Sequence, residues 1–238
     1  MMSVSGCSHL WPPLGLILAA GASTRMGRPK ALLELTNKPL LSEHIHRLQR
    51  VGLRPRVVLG YHGTQIQDAL HLPDELLIFN PSPEQGQFSS LRCGLRALVE
   101  SLYRDTQTDL FLKERTDEPL RQLSEQHVTP SAPYVLLTPV DVPPIHADVL
   151  GQLLRAGASL APDKALIPTW QGRDGHPILL GPELVLACLR EPSPPHLHAV
   201  LAATENHPRL EVQDEQVIFN LNTPQEVERW RERHRVSS

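Results

Sequence analysis

From Leu14 to Ala20 the chain carries seven residues without one polar side chain, and then passes straight into Gly21-Ala22-Ser23-Thr24-Arg25-Met26-Gly27-Arg28-Pro29-Lys30. The apolar run has the length of a buried strand and is too short for an ordinary helix. The loop behind it has two glycines, which let a backbone turn tightly and come close to a ligand. Small residues between them leave main-chain N–H groups uncovered, and Arg25, Arg28 and Lys30 bring positive charge to the same place. Exposed amides and cations at the end of a strand make an anion site, most often a phosphate site. A solvated surface turn would account for one glycine and one arginine, but not for two glycines, three cations and a buried strand together.

Two widespread loops are excluded by spacing. A Walker loop places four residues between its glycines and a lysine directly after the second. Here five residues separate Gly21 from Gly27, and Lys30 comes three later. A GxGxxG fingerprint is absent too, because Ala22 and Ser23 follow Gly21. The pattern LAAGxSxRMGxxK, from Leu18 to Lys30, instead resembles the signature of the MobA-like NTP transferases, the enzymes that attach a nucleotide to molybdopterin, and of their relatives. The resemblance implies a nucleotide-diphospho-sugar transferase-like fold, that is, a Rossmann-like three-layer α/β/α sandwich. It also implies that Leu18, Ala19, Ala20, Gly21, Ser23 and Gly27 bind nucleotide, with Arg25 and Lys30 catalytic. The family's cytidylyl branch usually reads LAAG and its guanylyl branch LAGG, so Ala19-Ala20-Gly21 points to CTP. A methyl group at Ala20 would narrow the base pocket against a purine.

The rest of the chain alternates helical and strand patterns. Leu41, Ile45, Leu48 and Val51 recur at helical spacing until Gly52; Arg56 to Gly60 reads as a strand, His62 to Leu72 as a helix, and Leu76 to Asn80 as a strand. Such alternation argues for a mostly parallel sheet with helices on both faces, whose ligands sit at the carboxyl ends of the strands. After the third strand comes NPSPEQGQFSSLRCGL, from Asn80. Spacing alone makes Ser89 and Ser90 caps of a helix start. The resemblance makes Asn80, Gly86, Ser89, Ser90 and Arg92 a run that lines the base and ribose end of the nucleotide site. Cys93 reads as a packed residue rather than a nucleophile, since no partner base is evident.

Residues Arg104 to Pro133 turn polar and lose rhythm, which is read as an insertion with a short helix around Pro119 to His127. Residues Met1 to Pro13 read as a leader to a single domain over 14–238. The strand Tyr134 to Thr138 then delivers Asp141 between Pro139 and Pro143-Pro144. By itself such an aspartate caps the helix that begins near Ile145. The resemblance makes it the strand-end metal ligand, although relatives often read CDMP, CDQP or CDTP where this chain has Val140 and Val142.

His146 to Leu154 is a helical stretch, Ala165 to Thr169 and Ile178 to Leu180 are strands, and Pro182 to Ala203 is helical around a proline-rich break. Between the two strands, Gly172 to Pro177 resembles the family's GHP turn, which puts Gly175 and His176 on the acceptor side. A hairpin turning at Asp174-Gly175 and a structural histidine remain alternatives. His196 and His198, two apart, would point in different directions on a helix and do not read as a zinc site. Thr223, Pro224 and Glu226 spell a helix start with a capping box. Many cytidylyl relatives have Asp-x-Asp-Thr-Pro here. Asn220-Leu221-Asn222 is the guanylyl form, and Asn222 can still bind Mg²⁺ with less charge.

Composition sets the remaining bounds. Of 238 residues 40% are apolar and 4% aromatic, which gives an aliphatic core. A net charge of −3 without a long basic run argues against nucleic acid. Cys7, Cys93 and Cys188 are too far apart to suggest a disulfide framework. There is no signal-like start and no membrane-length apolar run, so a cytoplasmic protein is expected. The expected activity is Mg²⁺-dependent transfer of CMP from CTP to a phosphorylated acceptor, above all molybdopterin, with a molybdoenzyme as possible recipient of the product. Guanylyl or sugar-phosphate transfer, or a non-catalytic accessory that binds nucleotide, are the alternatives.

Overall fold

Every residue of the opening apolar run after Leu14 is buried, and alternate side chains serve opposite faces of one sheet. In the computed structural model, which describes residues 13–35, 37–113, 132–190 and 195–234, this run forms β1 (Leu14–Ala19). Ile17 and Ala19 enter one apolar cluster, while Leu16 and Leu18 enter a second. That is the two-residue period of a strand covered on both sides.

The chain continues through α1 (Leu40–Arg50), β2 (Pro55–Leu59), α2 (Gly63–Leu70), β3 (Leu77–Phe79) and α3 (Gln87–Lys113). It then forms β4 (Val135–Pro139), α4 (Ala147–Gly157), β5 (Ala165–Trp170), β6 (Arg173–Asp174), β7 (Ile178–Leu180) and α5 (Pro182–Leu189). Last come α6 (Leu197–Ala202), β8 (Arg209–Glu211) and α7 (Pro224–Arg233). The eight strands lie in the order β3-β2-β1-β4-β7-β5-β6, with β8 beside β5. β3, β2, β1 and β4 are parallel, as are β5 and β8. β7 runs antiparallel to both β4 and β5.

Helices cover both faces, giving three layers. Leu41, Ile45 and Leu48 of α1, Val149 and Leu153 of α4, and Trp230 of α7 share the cluster of Ile17. Leu91, Leu95 and Leu98 of α3, Val185 of α5 and Val200 of α6 share that of Leu16. Each fully buried aliphatic side chain stabilises the fold by about 1.5–3 kcal/mol. Gly94 lets α3 lie close on the sheet, since a Cβ there would stand 2.7 Å from Val58 and 2.9 Å from Leu16.

The expected elements among the described residues are present with ends shifted by at most three residues, and three local readings need correction. First, α3 runs ten residues into the polar stretch, to Lys113, because no glycine or proline interrupts the sequence between Gly94 and Pro119. The helix read around Pro119 to His127, and residues 1–12 of the leader, lie outside the described residues. Second, the β5–β6 turn is made by Gln171 and Gly172, at φ 50° and 73°, not by Asp174-Gly175. Gly175 is instead packed on the backbone, where a Cβ would come within 2.4 Å of the Val217 carbonyl oxygen. Third, Ser89 and Ser90 lie inside α3 and do not cap it; the Ser89 hydroxyl donates to the Gly86 carbonyl at 2.8 Å. No helix among the described residues is long and apolar enough to cross a membrane.

Candidate nucleotide-binding and active site

The strand order changes direction between β1 and β4: β2 and β3 follow on one side of β1, and β4 lies on the other. A crevice opens at the carboxyl ends of strands at such a point. Leu18 pairs with Pro139 in the parallel register, and the Val140 amide donates to the Leu18 carbonyl at 3.0 Å. The loop after β1 and the Asp141 loop after β4 therefore start side by side.

Leaving β1, the first loop keeps Gly21 exposed and makes a short 3-10 turn, Thr24–Met26. Ser23 and Gly27 bracket the turn with left-handed backbone, φ 51° and 67°. The Ser23 hydroxyl accepts the Lys30 amide at 3.1 Å, which closes the loop and fixes the base of the lysine. Two groups from the end of β2 brace it: the His62 ring lies 2.9 Å from the Ala22 carbonyl, and the Tyr61 amide donates to Ala20.

The second loop brings in the far end of the chain. The Leu221 amide donates to the Asp141 carbonyl at 2.7 Å, which sets Asn222 beside Asp141. Asn222 is held from behind by the start of α7. Its amide donates to Glu226 at 2.8 Å, the Thr223 hydroxyl donates to the same carboxylate, and the Glu226 amide returns a bond to Thr223. The expected capping box thus has a second use, as the mount of a site residue.

At the centre the Lys30 ammonium donates to Asp141 at 3.0 Å and to the Asn222 side-chain oxygen at 2.7 Å. Two elements 111 and 192 residues away from Lys30 in sequence converge on it. One carboxylate oxygen and one amide oxygen aimed at a single cation position form a hard-oxygen donor pair. It fits a divalent ion that takes its remaining ligands from phosphate and water, as Mg²⁺ with a polyphosphate does.

These groups line a cavity of about 410 Å³. Leu18, Ala19, Ala20, Gly21, Ser23, Arg25, Lys30, Gly86, Ser90, Asp141 and Asn222 all border it. Gly27, Asn80, Ser89, Arg92, Gly175 and His176, also named from sequence, do not border it. Gly27 shapes the loop behind it. Asn80 is buried and serves as a clamp, donating to Ser89 and Ser90 at 3.0 Å each and accepting the Ser82 amide. Ser89 is part of that clamp, and Gly175 packs on Val217.

A second cavity, of about 470 Å³, adjoins the first and shares Leu18, Gln87, Pro139, Asp141 and Asn222 with it. His176, Asn220, His196 and His198 line it, opposite apolar Phe88, Leu91, Leu137 and Leu197. Burial lowers the His176 pKa from its ordinary value, partly opposed by Asp141. His196 and His198 do not diverge as a helical spacing of two would require: their rings lie edge to face, 6.0 Å apart. The reason is that His196 precedes α6 with extended backbone and caps it, its ring accepting the Ala199 amide. Tyr61, His62, Glu84 and Gln87 carried no motif in the sequence, and only their place at strand or helix ends could have marked them. Neither described cysteine is an activated thiol. Burial raises the Cys93 pKa and pushes Cys188 up to about 12.

Fold and crevice together define a Rossmann-like α/β scaffold of nucleotide-diphospho-sugar transferase-like fold, with its candidate ligand loop at the switch point. Within that fold the chain belongs to the MobA-like NTP transferase domain family, whose model matches residues 15–207; it is a nucleotidyltransferase of this kind. It is 23% identical to the molybdenum cofactor cytidylyltransferase of Escherichia coli (strain K12), over 92% of this chain and 95% of that protein. Among solved structures, it resembles a nucleotidyl transferase from Methanothermobacter thermautotroptrophicus at a TM-score of 0.66 and 16% identity, covering 93% and 97% of the two chains. A Mycobacterium tuberculosis H37Rv protein solved in complex with manganese matches at a TM-score of 0.60 and 17% identity, covering 92% and 97%.

Proposed function

We propose that the protein transfers CMP from CTP to a phosphorylated small-molecule acceptor, with molybdopterin the favoured acceptor, and releases pyrophosphate. The observation that carries this reading is the meeting of Lys30, Asp141 and Asn222 in one cleft with the Gly21 loop. An oxygen of the acceptor phosphate attacks the α-phosphorus of CTP. The α–β bridging P–O bond breaks, and its electron pair leaves with pyrophosphate. The acceptor phosphate is already ionised at neutral pH, so no general base is needed. What the site has to supply is placement and charge neutralisation.

Gly21 to Gly27 cradle the phosphates in this reading, and Arg25 and Lys30 neutralise the attacking and leaving oxygens. Asp141 and Asn222 would hold Mg²⁺, which supplies charge neutralisation to the polyphosphate. Asn80, Ser89 and Ser90 position the base and ribose end, with Ser90 alone of the three on the cavity wall. The second cavity takes the acceptor, with His176 on its wall and Gly175 holding the turn behind it. The Escherichia coli relative supports CTP and the molybdenum cofactor, and the manganese-bound structure supports a divalent metal. Separated cysteines, with Cys93 and Cys188 both free thiols, support a reducing, cytoplasmic setting. The product would pass to a molybdoenzyme.

Asn220-Leu221-Asn222 favours guanylyl transfer as the second reading. The test is pyrophosphate release with and without Mg²⁺, using CTP and GTP with molybdopterin and a panel of sugar phosphates. Release with CTP and molybdopterin is expected. Lys30→Ala and Asp141→Asn should each lower turnover by about a hundredfold or more, on the order of 3 kcal/mol. No release with any pair would make the protein a binding accessory.

A further inference from the structure

The Lys30 ammonium stands in front of the two oxygens proposed to hold a divalent cation. It lies 3.0 Å from Asp141 and 2.7 Å from the side-chain oxygen of Asn222. The lysine side chain is 14% exposed and that of Asp141 26%, so the contact is screened less than a surface pair. A metal ion and an ammonium cannot both occupy the short space in front of one carboxylate oxygen. Each also raises the electrostatic cost of the other.

We infer that Lys30 is the resident counter-ion of the Asp141–Asn222 pair, which a divalent cation must displace, so that metal and nucleotide enter together. This rests on the proposed metal role of Asp141 and Asn222. Without phosphates nearby, moving the ammonium strands a positive charge against the incoming metal. With a polyphosphate in the Gly21 loop, the same ammonium has a new partner within the same cavity, which is lined by Gly21, Arg25 and Lys30 alike. The backbone need not move. The Lys30 amide stays on the Ser23 hydroxyl at 3.1 Å, and four methylenes give the head group its reach. Lys30 therefore makes the metal site conditional on nucleotide, in addition to its charge role in transfer. Coupling of this kind is reciprocal: what nucleotide does for metal affinity, metal does for nucleotide affinity.

The test uses Mn²⁺ binding to the purified full chain, read from the free-ion electron paramagnetic resonance signal, with and without CTP and with no acceptor. Lys30→Met keeps most of the length of the side chain and removes its charge. Without CTP it should bind Mn²⁺ at least about tenfold more tightly than wild type, and Lys30→Gln should also bind more tightly than wild type. Adding Asp141→Asn to Lys30→Met should abolish that gain. CTP should strengthen Mn²⁺ binding by a smaller factor in Lys30→Met than in wild type. Thermal melts establish that each variant is folded. Equal or weaker Mn²⁺ binding by folded Lys30→Met and Lys30→Gln would overturn the inference, as would a gain that survives loss of Asp141. If Asp141→Asn alone left Mn²⁺ binding with CTP at the wild-type level, the proposed metal pair itself would fall, which is a different failure.

Discussion

Gly60, at the end of β2, is where three loops of the cleft touch, and Gly60→Ala measures how tightly they are fitted. A Cβ there would lie 2.6 Å from the Ala20 carbonyl oxygen, 2.8 Å from the Ala20 Cβ and 2.9 Å from the Pro83 Cβ. None of these is the free end of a flexible side chain. Ala20 is fixed by β1 and by the Tyr61 amide, and Pro83 by the turn that closes on Gly86. Relief must come from backbone shifts, for which overpacking costs of about 2 kcal/mol are typical. In a domain of this size that corresponds to a melting temperature lowered by about 4–8 °C. Gly21→Ala is the matched control. Nothing lies within 4 Å of its built Cβ, and its φ is outside the left-handed region. Its stability should stay within about 0.5 kcal/mol of wild type, while in the proposed reading the added methyl meets the phosphates and should weaken CTP binding. Circular dichroism melts and calorimetric CTP titrations on both variants read the two effects apart. Wild-type melting of Gly60→Ala, or an equal loss of stability in Gly21→Ala, would refute the assignment of one glycine to packing and the other to ligand approach.

Three further outcomes are expected. Ala20→Gly should raise the ratio of GTP to CTP turnover by widening the base pocket, and an unchanged ratio in a pyrophosphate-release assay would remove that explanation of base choice. Thr223→Ala loses the cap on α7, worth about 1 kcal/mol, and loosens the mount of Asn222. Urea unfolding should show the first effect, and a Mn²⁺ affinity lowered in the presence of CTP the second. His44, 4% exposed with its ring 2.9 Å from the Val142 carbonyl, has its pKa lowered from 6.5 to about 4, chiefly by burial. The unfolded chain therefore takes up this proton first as pH falls. The stabilising contribution is complete above about pH 6.5 and is lost on acidification towards pH 4, at about 1.4 kcal/mol per pH unit. His44→Gln should flatten that slope in denaturation curves collected across the interval.

The sheet and much of the cleft could be read from sequence because their signals are local. An unbroken apolar strand followed by glycines and cations states both a burial pattern and a ligand chemistry within seventeen residues, Leu14 to Lys30. Asp141 and the Thr223 capping box are equally local, since strand ends and helix starts have their own residue preferences. What sequence could not supply was distance between segments. Ser89 and Ser90 look like caps until Asn80, nine and ten residues earlier, is seen to bind both hydroxyls. Asp174-Gly175 has turn chemistry, yet packing against Val217 decides where Gly175 goes. The antiparallel β7 between β4 and β5 leaves no mark in a run of three apolar residues. The pairing of His196 with His198 depends on one residue of helix register, which spacing alone cannot fix.

Charge counting ties Asn222 to the behaviour proposed for the cleft. Lys30 and Asp141 face each other as one cation and one anion, and Asn222 adds an oxygen but no charge. With a second carboxylate at this position, the pair would keep net negative charge even with the lysine in place. Metal could then be held before nucleotide arrived. With an amide there, the local sum is neutral, and the attraction for a divalent ion has to come from the polyphosphate. Nucleotide brings that charge and at the same time offers Lys30 another partner, so one ligand both opens the position and supplies the field that fills it. On this account the amide at position 222 and the lysine at position 30 act together: each leaves the metal dependent on the triphosphate, and replacing Asn222 by Asp or Lys30 by an uncharged residue should weaken that dependence.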